Sequence, residues 1–183
     1  MKELSLNILD IVQNSIAAEA KNIAISLVVD KNGVLTILIV DDGLGMTYDT
    51  LKNVTDPFCT SRTSRSVGMG IPLLQLAAEQ AGGKVTISSK HISEYPNSHG
   101  TVVVATFDTK HPDFTPVGDI VSTVCAMIQG YSEADYIFRH ETDVVSVRLN
   151  TKELKAALGE GIPLSKFEVI QWISEFLREQ YKT

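Results

Sequence analysis

Two acids and two glycines close an apolar run in the segment LTILIVDDGLGM, residues 35–46. Leu35 to Val40 have the composition of a buried strand, and Asp41, Asp42, Gly43 and Gly45 follow at its end. A carboxylate in that position can accept a hydrogen bond from an exocyclic amine, and glycines let the backbone come close to a flat ring. Asp-Gly is also a common turn signal, so the segment alone leaves both readings open. Upstream, Asn7, Asp10 and Asn14 stand at spacings of three and four, which places them on one face of a helix. Between Leu4 and Ala18 the only charge is Asp10. A solvated helix face would also carry Lys and Glu, so this set of short polar groups suits holding a ligand or metal, but taken alone the helix leaves the solvated-face reading open. Downstream, Gly68 and Gly70 precede a helical segment, where free N–H groups can face an anion. The intervening TDPFCTSRTSRSVGMG, 55–70, supplies Arg62, Arg65 and many hydroxyls suited to closing over phosphates. Asp42 reads best as a solvated turn acid.

The elements that must position these groups follow from periodicity. Apolar residues at 4, 8, 9, 11, 12 and 16 predict a helix over Leu4–Ala20. Strands are predicted at 22–30 and 34–41, joined by a hairpin at KNG, with a short helix at 47–54. A second helix is predicted at 71–81, with Pro72 in its first turn and Gly82-Gly83 ending it, followed by strands at 84–91 and 101–108. This order predicts an α/β (α+β) sandwich with helices on one face of a mixed sheet. The long loop at 55–70 has hardly any apolar periodicity, which inside a compact domain is itself a hint of function. Beyond Phe107, DTKHPDFTPVGD reads as a connector. A helix at 119–129, a hairpin at 135–149 and a terminal helix at 164–181 follow. In that last helix Val169, Ile170, Ile173, Phe176 and Leu177 recur at helical spacing, and Trp172 and Phe176 read as core. The chain therefore divides into a ligand-binding unit, 1–110, and a small α/β extension, 111–183, that carries no motif of nameable chemistry.

Composition removes several function classes. The chain has 183 residues, 44% apolar and 21% charged, with a net charge of −6. That acidity opposes a nucleic-acid footprint and docking on anionic lipid. No apolar run approaches the roughly 20 residues of a membrane span, and Asn7 and Asp10 interrupt the apolar stretch after Lys2 that a signal peptide would need. Cys59 and Cys125 form no CxxC pair and have no nearby His cluster, so neither a metal nor a disulfide framework is expected. Two free thiols suit the reducing cytosol, and a cytoplasmic protein is expected.

Order and spacing together resemble the GHKL superfamily of ATP-binding proteins, which includes gyrase B, Hsp90-type chaperones, histidine kinases and MutL. DIVQNSIAAEAKNI resembles the N box and DDGLGM the G1 box. DPFCTSR resembles the phenylalanine-containing segment of histidine kinases, VGMGIPLLQLAAEQAGGKVTISS the G2 box with its helix and strand, and GTVVVATF, 100–107, the closing strand. The resemblance spans residues 4–108 and implies the Bergerat fold, with ATP between helices and sheet beneath a lid at 55–69. It implies that Asn14 holds Mg²⁺, that Asp41 binds the adenine amino group, and that Gly43 and Gly45 shape the floor under the base. It further implies that Gly68 and Gly70 present N–H groups to the phosphates, with Met46, Phe58, Thr60, Arg62, Met69 and Ile71 completing the nucleotide contacts.

The match also departs from its relatives. Asp10 stands four residues before Asn14, where gyrase B and MutL carry a glutamate that activates water. An aspartate is a possible general base but is one methylene shorter, and about 1 Å of reach matters in positioned chemistry; its other role would be to polarise a metal-bound water. NSIAA replaces the NSxDA pattern, so an acid near Ala18 is missing. Histidine kinases place a phosphoacceptor helix before the ATPase domain, whereas here the domain begins at Leu4. RHETD, 139–143, falls at a predicted hairpin tip, so His140 reads as a solvated histidine rather than a phosphoacceptor. Three functions are compatible with this pattern. The first and preferred is a module that transfers phosphate to, or regulates, a partner protein. The second is an ATPase whose lid closure drives a partner or a homodimer, and the third a nucleotide-sensing regulator. Expected partners are ATP, Mg²⁺ and a protein partner or phosphoacceptor, with a second copy of the chain as a further candidate; nucleic acid and membrane are not expected.

Overall fold

Alternation within the strands decides which way the sheet faces. In the strand Val34–Asp41, Leu35, Ile37 and Ile39 are buried while the residues between them turn to the opposite side. Asn22–Val29 and Gly100–Asp108 repeat the pattern with Ile23, Ile25 and Leu27, and with Val103, Ala105 and Phe107. A computed structural model describes residues 3–54, 69–159 and 161–182. Its elements in chain order are α1 (Leu4–Ala17), β1 (Asn22–Val29), β2 (Val34–Asp41), α2 (Tyr48–Asn53), α3 (Gly70–Gln80), β3 (Lys84–Lys90), β4 (Gly100–Asp108), α4 (Ile120–Gly130), β5 (Asp135–Glu141), β6 (Ser146–Asn150), α5 (Thr151–Leu158) and α6 (Phe167–Gln180).

The six strands form one mixed sheet in the order β3-β4-β2-β1-β5-β6. Every neighbouring pair is antiparallel except β1 and β5, which run parallel with Asn22 opposite Asp135. Strands from the C-terminal part thus continue the sheet begun by the N-terminal part. Inward residues of the sheet meet Ile8, Ile11 and Val12 of α1, Ile71 and Leu74 of α3, Val124 and Ile128 of α4, and Ile173 and Leu177 of α6 in a continuous apolar core. Each fully buried aliphatic contributes about 1.5–3 kcal/mol relative to exposure. This layering is the α/β sandwich predicted from the element order.

The connector between β4 and α4 has a second task. Glu3, at the N-cap of α1, makes no side-chain capping bond, and the first free N–H groups of the helix need acceptors. The carbonyls of Pro116 and Val117 supply them, accepting from Leu4 N and Ser5 N at 2.9 and 2.8 Å.

Three features differ from the sequence expectation. Trp172 and Phe176 are 49% and 38% exposed, and they stack on each other with ring centroids 5.0 Å apart. The buried stripe of α6 is Val169, Ile173 and Leu177, and the two aromatics fall beside it. His140 is not a solvated residue at a hairpin tip: β5 runs to Glu141, and His140 Nδ1 lies 2.8 Å from Tyr181 Oη. Burial lowers its pKa. Helix α5 was not foreseen; Asn150 caps it by accepting from Lys152 N at 3.0 Å.

Candidate functional site

Asp41 ends β2 on the inward side, and its carboxylate is held from three directions. Ser15 Oγ of α1 donates to Oδ2 at 2.6 Å, and the backbone N–H groups of Gly43 and Thr101 donate to Oδ1 at 3.0 and 3.2 Å. A carboxylate offers about four acceptor positions. Three are filled, and Asp41 faces a cavity of about 240 Å³. The walls are apolar at Ile11, Leu44, Met46, Ile71 and Val103, with Asn14, Thr101 and His91 adding polar groups. A mostly apolar slot with a few convergent polar groups is the usual form of a small-molecule site.

The loop after Asp41 is fixed by its glycines for a reason the sequence did not give. Gly45 has φ +72°, and a Cβ there would stand 2.0 Å from the Lys90 carbonyl oxygen. At Gly43 a Cβ would meet the Ala18 carbonyl at 2.8 Å. These glycines let the loop pack against α1 and the β3–β4 turn; Gly45 lines the cavity, while Gly43 acts through its N–H to Asp41. Further bonds tie the loop down. Leu44 N donates to Ala18 O at 2.7 Å, Met46 N to Ser89 Oγ at 2.8 Å, and the His99 imidazole to Gly43 O at 2.6 Å.

Asp10 and Asn14 share a face of α1 as their spacing predicts, and α3 crosses that face closely. A Cβ on Gly70 would lie 2.6 Å from Asp10 Cβ, so the glycine lets the N-terminus of α3 come up against Asp10. Burial raises the Asp10 pKa above the ordinary aspartate value. Asn14, one turn on, lines the cavity. Asn7 is 2% exposed and is not among the cavity-lining residues. Among the described residues no group of three or more His, Cys, Asp or Glu side chains gathers as a metal cage. Asn14 and Asp10 do offer hard oxygen donors, the set that suits Mg²⁺, which takes one or two protein oxygens and completes its shell with water and phosphate.

Asp42 is not a free turn acid. It accepts from Lys21 N and Asn22 N at 2.8 Å each and from Asn22 Nδ2 at 2.6 Å, closing the α1–β1 turn. Burial alone would raise its pKa, but these hydrogen bonds outweigh it and hold the carboxyl below its ordinary value. Met69 is 56% exposed beside the start of α3, and Ile71 is buried in the cavity wall. Phe58, Thr60, Arg62 and Gly68 lie outside the described residues. Ser15, Thr101, Ser89 and His91 were not singled out from the sequence. The one available signal was register, since Thr101 stands opposite Asp41 across the β2–β4 pair.

The site thus joins a helix face carrying Asp10 and Asn14, a carboxylate fixed at a strand end and a glycine-started helix within an α/β sandwich. Residues 2–111 match the family described as histidine kinase-, DNA gyrase B- and HSP90-like ATPase, and the chain belongs to it, an ATP-binding module of the GHKL type. The DNA mismatch repair protein MutL of Methanocorpusculum labreanum is 34% identical over 87 residues, covering 44% of this chain and 15% of that protein. The chain therefore spans only a small share of that relative. Among solved structures, the Aquifex aeolicus MutL ATPase domain complexed with ADP is similar at TM-score 0.53 and 13% identity, covering 80% of this chain and 63% of that one. The N-terminal domain of a DNA repair protein is similar at TM-score 0.54 and 16% identity, covering 82% and 52%. These two likenesses show the fold. No helix among the described residues is long and apolar enough to cross a membrane.

Proposed function

We propose that this chain is an Mg-ATP-binding module that transfers phosphate to a partner protein or regulates it. The observation that carries the reading is Asp41, held by Ser15, Gly43 and Thr101 with acceptor capacity left toward an apolar cavity. That capacity suits the amino group of adenine, with Met46, Ile71 and Val103 against the faces of the ring. Asn14 would hold Mg²⁺ through its side-chain oxygen, and Gly70 at the start of α3 would turn N–H groups toward the phosphates. Bound Mg-ATP supplies an activated phosphoryl group whose transfer depends mainly on positioning and charge stabilisation. The nucleotide unit is residues 1–110, residues 111–183 form an extension of it, and a cytoplasmic setting supplies both ATP and acceptor proteins.

A second reading, hydrolysis with Asp10 as general base, is favoured by one observation. Asp10 stands against the N-terminus of α3 with its pKa raised by burial, which moves a carboxylate toward the range where it accepts a proton effectively at neutral pH. ADP release from Mg-ATP by the wild type and by Asp10→Asn separates the readings. Turnover that falls sharply in the variant supports hydrolysis. Nucleotide binding without turnover in either supports a module that awaits its partner. Failure of the wild type to bind ATP would refute both.

A further inference from the structure

Most polar side chains in the cavity wall already have a partner or an assigned role. Ser15 serves Asp41 through its hydroxyl and Thr101 through its N–H, while the Thr101 hydroxyl lies 2.9 Å from Ser89 Oγ. The Thr47 and Thr50 hydroxyls, 3.0 Å apart, bond each other at the start of α2. Asn14 stands on α1, at the end of the site assigned to metal and phosphates. His91 is left, half-buried in the wall and held at one ring nitrogen. Ser93 N donates to Nδ1 at 3.3 Å, and the Ser93 hydroxyl lies 2.7 Å from the same atom. A backbone N–H can only donate, so Nδ1 is the accepting nitrogen and Nε2 carries the hydrogen. Among the described residues Nε2–H has no partner. The backbone here is fixed as well. His91 O accepts from Glu94 N and Tyr95 N at 3.1 and 2.9 Å, and Ile92 N donates to Leu44 O at 2.9 Å, which ties this turn to the loop after Asp41. A spare donor on a pinned turn in a cavity wall is a preorganised ligand contact.

We propose that His91 is a second base-recognising residue, whose Nε2–H donates to a ring nitrogen of the adenine that Asp41 holds by its amino group. This rests on the adenine-nucleotide reading of the cavity and adds to it a residue that selects the base. Position favours the base over the sugar and phosphates. Asp41, Thr101 and Ser89 stand opposite one another across β2, β4 and β3, and His91 follows two residues beyond Ser89. It therefore reaches the cavity from the sheet that carries Asp41. Asn14 and Gly70, which meet metal and phosphates in the same reading, come from α1 and α3 instead. The chemistry agrees with the position. Adenine pairs an amino donor with ring-nitrogen acceptors, and the cavity pairs an acceptor at Asp41 with a donor at His91.

Calorimetry of the full chain with ADP and with its analogues carrying CH in place of one ring nitrogen (1-deaza, 3-deaza and 7-deaza) tests it. His91→Phe keeps a ring and removes the donor, and it should bind ADP about fivefold more weakly than the wild type. His91→Gln keeps a side-chain N–H donor and should stay within about twofold. One of the analogues should bind the wild type about fivefold more weakly than ADP does, and His91→Phe should show no such loss because its bond is already gone. Circular dichroism reports folding, and His91→Ala takes the place of His91→Phe should the latter not fold. Equal losses on the analogues in wild type and variant would overturn the proposal. So would a loss on 2′-deoxy-ADP that vanishes in the variant, which would put the contact on the sugar. A wild type that binds ADP and all the deaza analogues equally would overturn this inference alone, whereas a wild type that binds no ADP would also refute the reading on which it rests.

Discussion

Removing the Ser15 hydroxyl tests the site at the point where the geometry is most specific. Ser15 is 3% exposed, and its Oγ lies 2.6 Å from Asp41 Oδ2, while the other two donors to this carboxylate both bind Oδ1. Ser15→Ala therefore leaves the Oδ1 side in place and releases the Oδ2 side, the one with capacity to meet a base. A hydrogen bond to a charged group is worth about 1.5–3 kcal/mol. Because two donors remain, we assign about half of that to ligand orientation, which corresponds to about 4- to 12-fold weaker adenine-nucleotide binding. Folding stability should fall by no more than about 1 kcal/mol, since alanine leaves no orphaned hydroxyl and favours the helix. Isothermal calorimetry with ADP, without metal, reads the affinity, and thermal unfolding reads the stability. Ser15→Thr keeps the donor and should restore much of the binding. An ADP affinity unchanged within twofold in Ser15→Ala would refute the argument that this bond orients Asp41.

Other outcomes follow from the same geometry. Asn14→Ala should weaken ATP binding measured with Mg²⁺ more than binding measured in chelator, and equal losses in the two titrations would remove the metal-holding role. Gly45→Ala should cost at least about 2 kcal/mol of stability in denaturant unfolding, because φ is +72° and the new Cβ would fall 2.0 Å from Lys90 O. Burial raises the Asp10 pKa, so the folded chain holds that proton more tightly than the unfolded chain does. The stability this contributes is present below the ordinary aspartate pKa of about 3.9 and is lost as pH rises through the raised value. Asp10→Asn should therefore raise the unfolding temperature at pH 7, with the advantage shrinking as pH falls toward 4 or so.

How far the sequence carried the fold depended on whether the deciding interaction was local. The strand end at Asp41 with its glycines was legible because a carboxylate and close backbone approach demand specific residue types. The common face of Asp10 and Asn14 was legible because helical spacing is fixed. Ser15 and Thr101 were not, since a serine and a threonine have many uses and these two reach Asp41 through helix packing and strand register. The glycines were found, but their neighbours were not: Gly45 is required by Lys90, a residue of β3 far along the chain. Parallel pairing of β5 with β1 had no sequence signal, because nothing in an alternating hairpin names its neighbour. The α6 stripe misled in one respect. Its apolar positions cover a wider arc than the buried one, leaving Trp172 and Phe176 at the surface. Helix α5 was missed because Leu154 and Leu158 are the only large apolar residues in a helix of eight residues, too few to mark a period.

Calorimetric titration of the purified full chain with ADP and ATP, wild type against Asp41→Ala, tests the central claim most directly. One adenine nucleotide should bind per chain in the wild type, with no detectable heat in the variant while its circular dichroism stays native. Equal affinity in the two proteins, or a wild type that binds neither nucleotide, would contradict the account.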